Sequence, residues 1–182
     1  MAREGARLSI GGQMSISAPD IRLASQVGEL LRSRGLTLAL AESATGGLVS
    51  SLVTSVAGSS AYFRGSIVAY DNEAKVRLLG VSRESLARYG AVSEVVAVEM
   101  ARGARDAFAA RVALADTGIA GPGGATEGKP VGLFYIALAT DRGAQARRYA
   151  LTGERLQIQQ QAALAALEWL REYLLAEAGW ST

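Results

Sequence analysis

The chain contains neither histidine nor cysteine. A Ser-His-Asp triad, a Cys-His pair and a zinc site of the usual His/Cys kind are therefore all excluded. No disulfide scaffold is possible, and a cysteine-free chain suits the cytoplasm, which is the expected location. Charge of one sign is also in short supply. Nineteen basic against 17 acidic residues leave a net charge of +2, too little to argue for nucleic acid as a partner. The sequence pI near 9.1 mostly reflects the missing histidines. No apolar run approaches the ~20 residues that a membrane span needs, so no membrane partner is expected. The first fifteen residues are basic and glycine-rich and lack an apolar signal-peptide core. Residues 1–16 read as a frayed extension, and residues 17–178 as one domain.

What remains is an ordinary globular composition, 49% hydrophobic and 20% charged over 182 residues, enough for one sizeable core. Ser17-Ala18-Pro19-Asp20 opens a helix that Arg34-Gly35 stops. Leu36 to Ala41 reads as a buried strand, and Gly46 as the start of a second helix ending at Gly58. Arg64 to Tyr70 is a further strand. Asn72 is placed as the cap of a helix over 73–79 that Gly80 closes, and Ser82 and Ser93 start two more helices. Arg111 to Thr117 is strand-like and runs into Gly118-Ile119-Ala120-Gly121-Pro122-Gly123-Gly124, too glycine-rich for regular structure. Val131 to Thr140 and Ala144 to Leu151 form a hairpin, and a helix over 154–176 closes the chain. Strands alternating with helices predict a three-layer α/β/α sandwich, with a mostly parallel mixed sheet buried on both faces.

With histidine and cysteine gone, a nucleophile must be activated by Lys, Tyr, Asp or Glu. Ser43, in Ala41-Glu42-Ser43-Ala44-Thr45-Gly46-Gly47, lies where a buried strand gives way to a helix, the usual ligand end of such sheets. Backbone N–H groups around Ala44, Thr45 and Gly46 could hold an oxyanion or a phosphate there. By position alone, Ser43 or Thr45 reads as a plain helix cap. Glu42 could orient a neighbour or face solvent.

Lys75 follows Tyr70 across a strand-to-helix junction. Folded back toward Ser43 and desolvated, it could act as base, with Tyr70 bridging hydroxyl and amine. Otherwise the two are a strand-end tyrosine and a solvated lysine. The Gly118–Gly124 loop could cradle a phosphate, or serve as a lid or subunit contact; it has neither P-loop nor dinucleotide spacing. Thr117 would face the same crevice. Arg155 sits in a helix first turn, where the helix dipole gives a cation no reason to be, so it could grip an anion or simply be solvated. Trp169 and Tyr173 read as core or subunit-interface aromatics.

Several blocks occur in fixed order: Glu42-Ser43-x-Thr45-Gly46-Gly47, Ala57-Gly58-Ser59-Ser60-Ala61-Tyr62-Phe63, Tyr70-Asp71-Asn72-Glu73-Ala74-Lys75, Gly90-Ala91-Val92-Ser93, Gly118 to Gly124 and Lys129-Pro130-Val131-Gly132. Together they resemble the CinA C-terminal domain family, whose active members are nicotinamide mononucleotide amidohydrolases. The likeness runs from about Ile21 to Leu175. It implies that Ser43 is the nucleophile and that Tyr70 and Lys75 are its partners. Thr45, Gly46, Gly47, Thr117, Gly118, Gly121 and Arg155 are the implied substrate-binding set. The implied reaction turns the nicotinamide carboxamide into a carboxylic acid and ammonia, in a homo-oligomer with no metal and no organic cofactor.

Ala44 stands where many relatives carry cysteine. The resemblance is to the stand-alone form, without the larger N-terminal domain of full-length CinA proteins. Two rival readings are a non-catalytic nucleotide- or partner-binding regulatory module of the same fold, and an amidase acting on free nicotinamide.

Overall fold

A computed structural model describes residues 18–177; the expected extension at 1–16 lies outside the described residues. The elements are α1 (Ala18–Ser33), β1 (Leu38–Glu42), α2 (Leu48–Thr54), a 3-10 turn at Ser59–Ala61, β2 (Phe63–Val68), α3 (Asn72–Leu79), α4 (Arg83–Tyr89), α5 (Glu94–Ala107), β3 (Val112–Gly118), β4 (Leu133–Thr140), β5 (Gly143–Ala150) and α6 (Arg155–Glu177). One five-stranded sheet runs in the order β2-β1-β3-β4-β5. Pairings β1–β2 and β1–β3 are parallel, whereas β3–β4 and β4–β5 are antiparallel. The expected α/β sandwich with a mixed sheet is thus present, with parallel and antiparallel pairings equally divided.

The strands alternate large and small residues, and the period of two sorts these to opposite faces. Leu38, Leu40, Val112, Leu114, Ile136 and Leu138 point to one side, where α1, α2 and α6 cover them. Ala39, Ala41, Ala113, Ala115, Ala137 and Ala139 point to the other, against α5. Alanine on the sheet and Val96, Ala97, Met100, Ala101 and Ala104 on the helix allow α5 to lie close. Gly103 of α5 is needed where α3 packs on that helix, since a Cβ on it would meet the Leu79 carbonyl oxygen at 1.9 Å. Trp169 is buried in the larger cluster, with Tyr173 packed against it, so both are core aromatics of this domain.

The helix starts follow local chemistry. Ser82 and Ser93 cap α4 and α5 as expected, accepting from N–H groups of the first turn. At α3 the cap is Asp71, not Asn72: the Asp71 carboxylate accepts from the Ala74 N–H at 2.6 Å. Glycine does not open α2 either. Gly46 and Gly47 both adopt left-handed backbone (φ 64° and 104°), and the helix begins at Leu48. Strand β5 lies at the sheet edge with many side chains exposed, so the sheet is not covered throughout. Among the described residues, no helix is long and apolar enough to cross a membrane.

Candidate active site

A cleft of about 230 Å³ opens at the carboxyl ends of the parallel strands, and Ser43, Tyr70, Asn72, Lys75, Thr117 and Arg155 are on its wall. Ser43 follows directly on β1, and Lys75 lies one turn into α3, the helix that follows β2. The Lys75 Nζ is 3.0 Å from the Ser43 Oγ. It is also 2.8 Å from the Ala69 carbonyl oxygen and 3.3 Å from that of Tyr70. Three acceptors suit an ammonium with three protons. Once one proton is lost, two N–H groups still hold the two carbonyls, and the lone pair is left facing the serine hydroxyl. The backbone of the β2–α3 junction therefore aims the amine. Lys75 is only 2% exposed, and burial lowers its pKa, with Asp116 and then Asp71 acting in the opposite sense. A desolvated lysine touching a serine is the geometry that proton transfer from the hydroxyl to the amine requires.

Behind Ser43 stand two buried carboxyl groups. Leu40 of β1 pairs with Leu114 of β3, and two residues further along each strand, on the same face, come Glu42 and Asp116. Glu42 accepts from the N–H groups of Gly47 (2.9 Å), Val49 (3.1 Å) and Ser50 (2.9 Å), and from the Thr45 and Ser50 hydroxyls. It is the anion at the start of α2, so the cap is neither Ser43 nor Thr45. Asp116 accepts from the N–H groups of Ser43 (3.2 Å), Ala44 (2.9 Å) and Thr45 (3.2 Å), and is in contact with the Thr45 hydroxyl. From α6, the Gln159 side chain donates to the Ala44 carbonyl at 2.7 Å. The turn is held on every side.

The other expected site residues take the following places. The Ala44 and Thr45 N–H groups are engaged by Asp116 and so are not free to hold an oxyanion, and Thr45, Gly46 and Gly47 are not on the cleft wall. The bridge through the Tyr70 hydroxyl is not made. Tyr70 meets Lys75 with its backbone carbonyl, while its hydroxyl accepts from Arg155 at 2.9 Å. Arg155 also donates to the Gly121 carbonyl at 2.7 Å, tying the glycine loop to the start of α6. Thr117 and Gly118 do line the cleft, and the Thr117 hydroxyl donates to the Ala91 carbonyl at 2.8 Å. Gly118 is required beneath the Phe134 ring, which a Cβ would meet at 2.4 Å. Gly121 contributes its carbonyl to Arg155 without lining the cleft.

The matching family model, the CinA C-terminal domain, covers residues 20–174. The chain belongs to the CinA C-terminal domain family. A CinA-like protein of Geobacter sulfurreducens is 51% identical over 164 residues, which is 90% of this chain and 40% of that one. The chain thus spans less than half the length of such CinA-like relatives. The nicotinamide-nucleotide amidohydrolase PncC of Escherichia coli K12 is 47% identical over 156 residues, covering 85% of this chain and 94% of that one. The crystal structure of the competence/damage inducible protein CihA from Agrobacterium tumefaciens matches with a TM-score of 0.84 at 40% identity, covering 88% of this chain and 99% of that one.

Within this CinA domain, sequence reasoning missed Asp116 and Gln159 and left Glu42 open. A signal existed for the carboxyl pair: in both apolar strands, an acidic residue continues the alternation that leucine had marked as inward. Another lies in the composition. Lysine occurs only twice, at 75 and 129, in a chain otherwise supplied with arginine. A guanidinium cannot give up its proton near neutrality, so a base at position 75 requires lysine.

Proposed function

We propose that the protein hydrolyses the carboxamide of nicotinamide mononucleotide, giving nicotinic acid mononucleotide and ammonia. The direct contact of Lys75 Nζ with Ser43 Oγ, in a cleft at the strand ends, carries this reading. The 47% identity to a protein named nicotinamide-nucleotide amidohydrolase supports the choice of substrate. Neutral Lys75 takes the proton from Ser43, whose oxygen attacks the amide carbon. As the C–N bond breaks, Lys75 returns the proton to the departing nitrogen and ammonia leaves. Water then attacks the acyl-enzyme, losing its proton to Lys75 and restoring the Ser43 hydroxyl. With the Ala44 and Thr45 N–H groups committed to Asp116, the oxyanion is left to donors on the cleft wall, and the Asn72 carboxamide is the neutral one beside Lys75.

Arg155, Thr117 and Gly118 anchor the nucleotide, and Tyr70 serves by placing Arg155. The protein works as a cytoplasmic homo-oligomer, and exposed Val68, Leu78 and Tyr89 supply apolar surface for self-contact. Purified protein should release ammonia from nicotinamide mononucleotide at a far higher rate than from free nicotinamide. Ser43→Ala should abolish release without changing the fold. A Ser43→Ala protein of full activity would overturn the mechanism, and binding of the nucleotide without turnover by wild type would favour a regulatory binding module.

A further inference from the structure

The Thr45 hydroxyl stands between two carboxyl groups. Its Oγ1 is 2.8 Å from Glu42 Oε2 and in hydrogen-bond contact with Asp116 Oδ1. A hydroxyl has one proton and can donate to only one of them. The second contact needs a proton of its own, and the surroundings say where it sits. Both oxygens of Glu42 are filled by donors: three backbone N–H groups and the hydroxyls of Thr45, Ser50 and Ser66. Oδ2 of Asp116 takes two backbone N–H groups, those of Ala44 (2.9 Å) and Thr45 (3.2 Å), while Oδ1 has one, that of Ser43 at 3.2 Å, beside the Thr45 hydroxyl. The additional proton therefore belongs on Asp116 Oδ1. The chain of donors then runs from Asp116 to Thr45 to Glu42.

We propose that Asp116 is a positioning residue: by holding or releasing a proton that it shares with Glu42 through the Thr45 hydroxyl, it switches the two carboxyl groups behind Ser43 between one and two negative charges, and that charge state sets how readily Lys75 serves as base. The clause about Lys75 rests on the amidohydrolase reading; the shared proton does not. Few other charges face this group. β1 presents Glu42, and the β2–α3 junction presents Lys75 with Asp71 beyond it. α2 has no titratable residue, and α5 packs its apolar side on the opposite face of the sheet. On β4 the residue opposite Asp116 is Ile136. From α6 come neutral Gln159 at Ala44 and Arg155 at the cleft mouth. Burial first, and then the charge of Glu42, push the Asp116 carboxyl up to about 6, against the pull of its Thr45 and backbone hydrogen bonds. An ionised Asp116 in turn favours the charged form of Lys75.

The test follows side-chain carbon signals in full-length protein labelled in aspartate and lysine, for wild type and Asp116→Asn. With only two lysines in the chain, Lys75→Met assigns the signal. One aspartate carboxyl, absent from Asp116→Asn, should titrate near pH 6; an Asp116 signal titrating in the ordinary range near ~4 overturns the shared proton. Asparagine keeps an acceptor for the N–H groups and a donor toward Thr45, imitating the protonated acid. The Lys75 signal should then titrate at lower pH than in wild type, and the acidic limb of kcat/KM on nicotinamide mononucleotide should shift the same way. Equal Lys75 midpoints in the two proteins overturn the influence on the base and leave Asp116 merely structural. If Asp116→Asn fails to fold, wild type still decides, because the Lys75 signal must show an inflection at the Asp116 midpoint. Neither titration needs turnover. A protein inert toward the nucleotide would refute the amidohydrolase reading, and the shared proton would stand or fall separately.

Discussion

Ser43 has two sides, built by opposite rules. Behind it the groups are dry and mutually satisfied: Glu42, Thr45 and Asp116 are each at most 2% exposed and engage the N–H groups of the turn among themselves. In front, Tyr70 is 64% exposed, and its hydroxyl accepts from Arg155 at the mouth of the cleft. Buried polar groups are costly to leave unmatched and so act as a rigid frame, whereas exposed ones exchange partners with water at little cost. Lys75 belongs to both sides, buried like the rear groups and touching the cleft like the front ones. The contrast separates residues that fix where the Ser43 hydroxyl stands from residues that line the cleft in front of it.

Changes at the boundary should have the largest effect. Lys75→Met removes the proposed base while keeping a long apolar stem, and should lower kcat on the nucleotide by roughly a thousandfold with the fold unchanged by circular dichroism. Behind the serine, loss should appear as stability. Glu42→Ala strips the start of α2 of its anion and leaves buried donors unmatched, so chemical denaturation should show a loss of about 3 kcal/mol or more. Asp116 gives a pH signature of similar size and definite sign. Its folded pKa of about 6 lies above an unfolded value near ~3.9, so its contribution is fully present below ~4 and is lost as pH rises through about 6. On that account alone, wild type should lose about 3 kcal/mol between these limits, and Asp116→Asn should not. The front changes should be mildest. Arg155→Ala should raise KM for the nucleotide about tenfold or more and leave stability nearly unchanged. Tyr70→Phe, which frees Arg155 of one partner, should do less than that; a kcat collapse in Tyr70→Phe with KM unaltered would restore the tyrosine to the proton path.

Much of this division was legible in the chain, and the unread part has a physical reason. Local signals were read well: Ser82 and Ser93 as caps, Gly80 as a stop, the hairpin around Asp141-Arg142-Gly143, and the sandwich from alternating strands and helices. Ser43 and Lys75 were singled out because the absence of histidine left few bases to choose from. The rear frame was not seen, because Asp116 lies 73 residues from Ser43 and meets it only when β3 pairs with β1. Asp71 displaced Asn72 as cap by a single position, within the ordinary uncertainty of a helix end. The Tyr70 hydroxyl faced the other way for a similar reason: adjacency in sequence put its carbonyl, not its ring, beside Lys75.

The alanine layer between the sheet and α5 has a consequence for how substrate choice can change. Ala91 and Val92, just before α5, form one wall of the cleft, and Thr117 at the end of β3 reaches across to the Ala91 carbonyl. The thickness of a methyl group thus sets the spacing of that wall from the strand ends. Ala113 and Ala115 sit in this layer without touching the cleft. A valine at either would act as a shim, tilting the helix and widening the opening by a fraction of an ångström. The width of the cleft could be retuned from within the core while every residue lining it stays the same.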